Sequence, residues 1–236
     1  MASDASLRLR QLSLDIRLRE DYRFNNFVGA EQAVSAIRRQ INGESDEWLS
    51  YLWGNRGSGR SHLLAAAIHE AHKSGLSCIY FDIAECLTMS AAQLLDGLQT
   101  LHLVCIDNID LIAGNEWELA LFNLLNAMDG TAANLLVAAL HPPPNLRLQL
   151  VDLKTRLMTG FMFQLAGLSD DEKLALLTRK AESRGFLLTK KVGRFILNRS
   201  DRDLPALLNS LDSLDSQSVV HQKKLTIPFV KNVLKL

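Results

Sequence analysis

Residues 53–62 read WGNRGSGRSH. Gly54, Gly59 and Ser61 fall where the phosphate-loop pattern G-x-x-x-x-G-K-[ST] requires them. Glycines at these places let backbone N–H groups turn inward around phosphate oxygens, and a helix that follows aims its positive end at the same point. Gly54, Asn55, Arg56, Gly57, Ser58, Gly59, Arg60, Ser61 and His62 are therefore candidates to hold a nucleotide, and Ser61 could place its hydroxyl on magnesium. The departure is Arg60, which stands where the pattern has lysine. A guanidinium binds phosphate but is longer and planar, so it does not act as the same compact point charge. The competing reading of the stretch is a glycine-rich strand-to-helix turn with no ligand.

A second stretch, LVCIDNID, sets Asp107 at the end of an apolar run. A carboxylate there can hold the water shell of a magnesium ion. Many ATPases place Glu after this Asp to activate the attacking water. Here the neighbour is Asn108, which can orient water but cannot take its proton near neutral pH. Both replacements point to a site that grips nucleotide and turns it over poorly.

These residues need a scaffold that brings loop and acid together. Tyr51–Gly54, Cys78–Ile83, Leu101–Asp107 and Asn134–Leu140 read as buried strands. SHLLAAAIHEAHKSG, closed by Gly75, and WELALFNLLNAM read as helices between them. Apolar strands alternating with helices imply an α/β fold, a parallel sheet flanked by helices. After Gly167 the pattern changes to amphipathic segments. LSDDEKLALL opens with Ser169 and Glu172 in capping-box spacing, and Thr189 and Thr226 are further caps. The expected organisation is an extended N-terminal arm (1–19), a nucleotide-binding α/β domain (20–167) and a helical lid domain of about four helices (168–236).

The chain has 236 residues and no net charge, unevenly placed: +2 over residues 1–19, −7 over 20–167 and +5 over 168–236. That is not the basic footprint of a dedicated DNA binder. No segment is apolar enough to span a bilayer, and Cys78, Cys86 and Cys105 are scattered without metal-ligand spacing. A reducing cytoplasm is expected, without disulfide or zinc.

WGNRGSGRSHLL, LVCIDNIDLIAG, LKTRLMTG, LSDDEKLALL and KLTIPFVKNVLKL together resemble the AAA+ P-loop ATPases related to the bacterial initiator DnaA, and among them the branch that regulates DnaA. The resemblance covers nearly the whole chain. It implies a five-stranded parallel sheet with a helical lid and an adenine nucleotide, ADP or ATP with magnesium, held by Ser61 and Asp107. By the same resemblance Phe24, Asn25, Phe27, Val28 and Gly29 cover the adenine, with core packing the rival for the phenylalanines. Arg202, or else Arg199, would be the lid arginine that reaches phosphate. The family's polar sensor at the end of the fourth strand is missing from NLLVAALHPPP. Arg156 matches the arginine finger that enters a neighbour's nucleotide site; a surface ion pair with an acid such as Asp152 is the alternative.

QLSLDI resembles the short peptide by which replication proteins bind the sliding clamp, with Gln11, Leu12, Leu14 and Ile16 as contacts and an edge strand as the rival. The reading that unites these features is a negative regulator of replication initiation. It binds adenine nucleotide and the polymerase III clamp, and it stimulates hydrolysis of DnaA-bound ATP through Arg156. DNA would be contacted through its partners, at the nucleoid of a bacterial cytoplasm, and a homodimer is conceivable by analogy. The alternatives are an autonomous AAA+ ATPase and a helicase loader of the DnaC type. With nothing following the lid, a DNA-reading helix-turn-helix domain is not expected.

Overall fold

The computed structural model describes residues 22–199, 204–221 and 225–235. They fall into two compact units: the chain to Ala166 without the tip Arg56–Ser58, and that tip with the chain from Gly167.

The first unit is built on five parallel strands in the order β2-β3-β4-β1-β5. They are β1 (Leu49–Trp53), β2 (Cys78–Asp82), β3 (Leu103–Asp107), β4 (Asn134–Ala139) and β5 (Phe161–Gln164). Side chains alternate across the sheet, and both faces are covered. Leu49, Tyr51, Val104, Ile106, Leu135, Val137 and Ala139 enter one core with Trp117, Leu121 and Leu125. Leu52, Leu103, Cys105, Leu136 and Ala138 enter the other with Ile37, Leu63, Leu64 and Ala67. This explains why the strands read as unbroken apolar runs. β3 begins at Leu103, two residues later than expected, because His102 turns its backbone carbonyl to Asn134 and its ring to the Ile41 carbonyl.

Helices α1 (Glu31–Ile41) and α2 (Arg60–Lys73) cover the second core. The four alanines of α2 let its backbone lie close over the sheet centre, and Ala65, Ala66, Ala67 and Ala71 are all buried. Two short helices, α3 (Ile83–Cys86) and α4 (Ala91–Leu95), precede β3. On the first core's side lie α5 (Trp117–Met128) and α6 (Val151–Leu157). β5 then closes the sheet beside β1. Its four residues, FMFQ, alternate partly buried and exposed, an edge pattern too short to stand out in sequence.

The second unit holds α7 (Asp170–Ser183), α8 (Lys190–Arg199), α9 (Leu204–His221) and α10 (Ile227–Leu234). Its core is largely leucine, with Leu174, Leu177, Leu207, Leu211 and Leu214 packed around Val192, Ile196 and Val230. The Ser169–Glu172 capping box is formed in both directions, and the Thr226 hydroxyl accepts from the Phe229 N–H. Among the described residues no helix is long and apolar enough to cross a membrane.

Candidate nucleotide site and the arginine helix

β1 ends at Trp53, and the chain turns through Gly54–Gly59 into α2. Gly57 and Gly59 have φ of 76° and 95°, backbone that side chains strain to adopt. A Cβ at Gly59 would also run into the Phe27 ring. Asn55 and Arg56 are exposed at the tip and Ser58 is buried. His62, in the first turn of α2, stacks on Tyr22 at 4.7 Å and meets the edge of Phe27 at 5.3 Å. Phe27 thus sits on the loop. Phe24, by contrast, is a core residue. Phe24, Phe27 and Gly29 line a hollow of about 390 Å³ with Val34 and Arg38; Val28 does not line it. Asn25 is exposed and accepts a hydrogen bond from Arg38.

The structure brings Ser61 and Asp107 together. The Ser61 hydroxyl donates to Asp107 Oδ2, across 46 residues of sequence. The Tyr80 hydroxyl donates to the same oxygen at 3.1 Å, and the Asn108 N–H to Oδ1 at 2.8 Å. Asp107 is fully buried. Burial pushes its carboxyl above the ordinary range, while Ser61, the Arg60 charge and the Asn108 N–H pull the other way. Burial, joined by the Asp107 charge, pushes the Tyr80 hydroxyl far above its ordinary value, so it stays a donor.

Arg60 is 8% exposed, and neither its Nη1 nor the Ser58 hydroxyl has a hydrogen-bond partner among the described residues. Buried donors of this kind are costly without an acceptor. Phosphate oxygens meet that need, so the residues present fit a nucleotide. A magnesium ion bound here would supply positive charge to the phosphates, and Ser61 and Asp107 would be the side chains to hold it.

Asn108 is fixed by two features. Its backbone is left-handed, φ 57° and ψ 39°, and its side-chain amide donates to Asp82 Oδ1 at 2.8 Å. Asp82 ends β2 in register with Asp107 and also caps α3 through the Ala84 N–H. The end of β4 carries no polar side chain. There the Leu140 N–H donates to Asp110, and the exposed His141 offers only its carbonyl, to the Tyr51 hydroxyl.

Arg156 stands in the last turn of α6. Its ion-pair partner is Asp129, at 3.0 Å, where the alternative reading had named an acid such as Asp152. Asp129 caps the C-terminal end of α5, so the pair crosses between two helices. Gln11, Leu12, Leu14, Ile16 and Arg202 lie outside the described residues; Arg199 is exposed at the end of α8. Tyr80, Asp82, Asp110 and Asp129 were not singled out in the sequence. Only Asp82, at a strand end, carried a signal that could have found it.

A parallel sheet with a phosphate loop after β1 and an acid ending β3, followed in sequence by a four-helix unit, defines an AAA+ nucleotide-binding fold. A family model of the bacterial DnaA ATPase domain matches residues 18–164, and one of the Hda lid domain matches residues 170–234. The chain belongs to the bacterial DnaA ATPase-domain family and is a DnaA-related regulator of replication initiation. Among solved structures it is similar to domain III of the replication initiation protein DnaA from Thermotoga maritima. The TM-score is 0.79 at 18% identity, over 92% of this chain and 97% of that one. AMPPCP-bound DnaA from Aquifex aeolicus gives 0.70 at 20% identity, over 83% and 65%. The Holliday junction branch migration motor RuvB of Thermotoga maritima gives 0.69 at 16%, over 92% and 72%. At these identities the structural likenesses carry the fold alone.

Proposed function

We propose that this protein is a negative regulator of replication initiation that holds an adenine nucleotide, ADP or ATP with magnesium, and lends Arg156 to ATP bound by DnaA. In this reading the water attack takes place in DnaA's site, and the arginine meets charge developing on the phosphoryl group there. Gln11, Leu12, Leu14 and Ile16 dock the protein on the sliding clamp, which brings it to DNA without a DNA-binding surface of its own.

The observation that carries the reading is the contrast between Asn108 and Arg156. In the protein's own site the residue beside Asp107 is an amide tied to Asp82, with no proton-accepting group. Arg156 instead stands on a surface helix, its side chain 36% exposed and paired with a half-exposed Asp129 that a phosphate can displace. An arginine delivered in trans raises phosphoryl transfer by about 10³- to 10⁵-fold.

The test is hydrolysis of DnaA-bound ATP in the presence of clamp loaded on DNA. The full chain accelerates it and Arg156→Ala does not, while Arg156→Ala keeps its affinity for adenine nucleotide. Removal of Gln11 to Ile16 abolishes clamp binding and leaves the unfolding midpoint unchanged. An unaltered hydrolysis rate with the full chain would overturn the reading.

A further inference from the structure

Helix α6 is held at both ends by α5. At its C-terminal end the Arg156 guanidinium meets Asp129. At its N-terminal end the partner is Glu118, a residue only 4% exposed. Oε2 accepts the Leu150 N–H at 2.8 Å and the Gln149 N–H at 2.9 Å, and Oε1 accepts the Gly114 N–H at 2.6 Å. Leu150 is the residue that opens α6. A buried charge with no basic partner within salt-bridge distance among the described residues, satisfied by three backbone donors, is expensive to build and rigid once built. Nothing in the nucleotide site uses it.

The three donors come from two loops. Gln149 and Leu150 lie directly before the helix that carries Arg156. Gly114 lies in the loop that begins at Asn108, next to Asp107. A 3₁₀ turn, Ile109–Ile112, occupies that loop, and its Asp110 receives the Leu140 N–H. One carboxylate therefore fastens the start of the arginine helix to the loop that follows the buried acid.

We infer that Glu118 is a positioning residue for Arg156: it fixes the start of α6 so that the guanidinium leaves the surface at one height and direction. The inference rests on the reading of Arg156 as the group lent to DnaA. A seven-residue helix has too few internal hydrogen bonds to hold its own direction, and once Arg156 leaves Asp129 for a phosphate the anchor at its start sets it. A displacement of the order of 1 Å in a catalytic group costs about 100-fold in rate.

The test compares the full chain with Glu118→Gln, Glu118→Asp and Arg156→Ala in the clamp-dependent hydrolysis of DnaA-bound ATP, together with amide hydrogen exchange. In Glu118→Gln an amide N–H₂ faces two backbone N–H groups. The maximal stimulated rate falls at least tenfold, while the concentration for half-maximal stimulation and the affinity for adenine nucleotide stay within twofold. The Gln149 and Leu150 amides lose at least tenfold more protection than the β3 and β4 amides, which lose only what the fall in global stability requires. Glu118→Asp, with the charge but one methylene less reach, lies between, and it serves alone should the Gln variant not fold. In the Arg156→Ala background Glu118→Gln lowers the rate no further. Faster exchange at Gln149 and Leu150 with an unchanged maximal rate would overturn the inference, as would a loss matched by exposure of the whole sheet. If Arg156→Ala itself leaves stimulation intact, the reading of Arg156 fails and this inference goes with it.

Discussion

Asn108 donates its side-chain amide to Asp82 at 2.8 Å, joining the ends of two neighbouring strands beside the phosphate loop. The acid and the amide could have been placed the other way round. As they stand, the carboxylate is on β2 and the amide follows Asp107, so the group at the hydrolytic position cannot accept a proton.

Moving the carboxylate from residue 82 to residue 108 should restore a base. Asp82→Asn with Asn108→Glu keeps a hydrogen bond between the positions and puts a carboxylate beside Asp107. Intrinsic ATP turnover is expected to rise at least tenfold, since a positioned base contributes about 10²- to 10⁴-fold. Asn108→Glu alone sets two carboxylates side by side and gains less. Both variants lose about 1–2 kcal/mol because glutamate resists the left-handed backbone at residue 108. Steady-state hydrolysis and chemical unfolding measure the two effects.

Asp129→Asn frees the Arg156 guanidinium from an ion pair that is a third to half exposed. Such pairs contribute at most about 1 kcal/mol. The unfolding free energy is expected to change by no more than that. Half-maximal stimulation of DnaA should move to a lower concentration, by up to about fivefold. Titration of the variant in the stimulated-hydrolysis assay checks it.

Asp107 carries a carboxyl pushed upward by burial, so its ionised form opposes folding. For an acid with a raised folded pKa, that cost is present at neutral pH and fades as pH falls through the folded pKa. In Asp107→Asn the side-chain oxygen keeps the Asn108 N–H while the Ser61 and Tyr80 hydroxyls turn to accept from the N–H₂, and removal of the buried charge is expected to raise the unfolding midpoint at pH 7. Its advantage shrinks in acid. Magnesium-dependent nucleotide binding is lost in the same variant. Thermal unfolding at pH 7 and pH 4, with and without magnesium and ADP, tests both halves.

Glu118 behaves in the opposite sense. Burial alone would push its carboxyl up, but the N–H groups of Gly114, Leu150 and Gln149, with the Lys154 charge, hold it below the ordinary range. For a depressed acid, stability is present above the unfolded pKa and is lost as pH falls through the folded one. Glu118→Gln is expected to be less stable than the parent by about 1.5–3 kcal/mol at pH 7. The difference should close below the ordinary carboxylate range. Urea unfolding across that interval measures the gap.

The parallel sheet, the phosphate loop and the capping box at Ser169 were legible because each is a local pattern: apolar runs, glycine spacing, a cap three residues from its glutamate. β5 was not, since four alternating residues at a sheet edge give little periodicity, and only the family resemblance had implied a fifth strand. The pairing of Ser61 with Asp107 followed from two motifs that a parallel sheet must bring together. Tyr80, Asp82 and Asp129 were hidden for another reason: their roles depend on which strand or helix end lies next to them. The choice between Asp152 and Asp129 as partner of Arg156 shows the same limit. Asp152 is four residues away on the same helix, whereas Asp129 reaches across from another.

The strand order also bears on how the chain is made. β1, which leads into the phosphate loop, sits between β4 and β5, and its pairing of Tyr51 with Met162 spans about 110 residues. During synthesis the loop has a neighbour on only one side of its strand until residues 161–164 have left the ribosome, by which time Arg156 has already emerged. The strand that leads into the phosphate loop is thus flanked on both sides only after the arginine is in place, and a chain interrupted between β4 and residue 156 has neither.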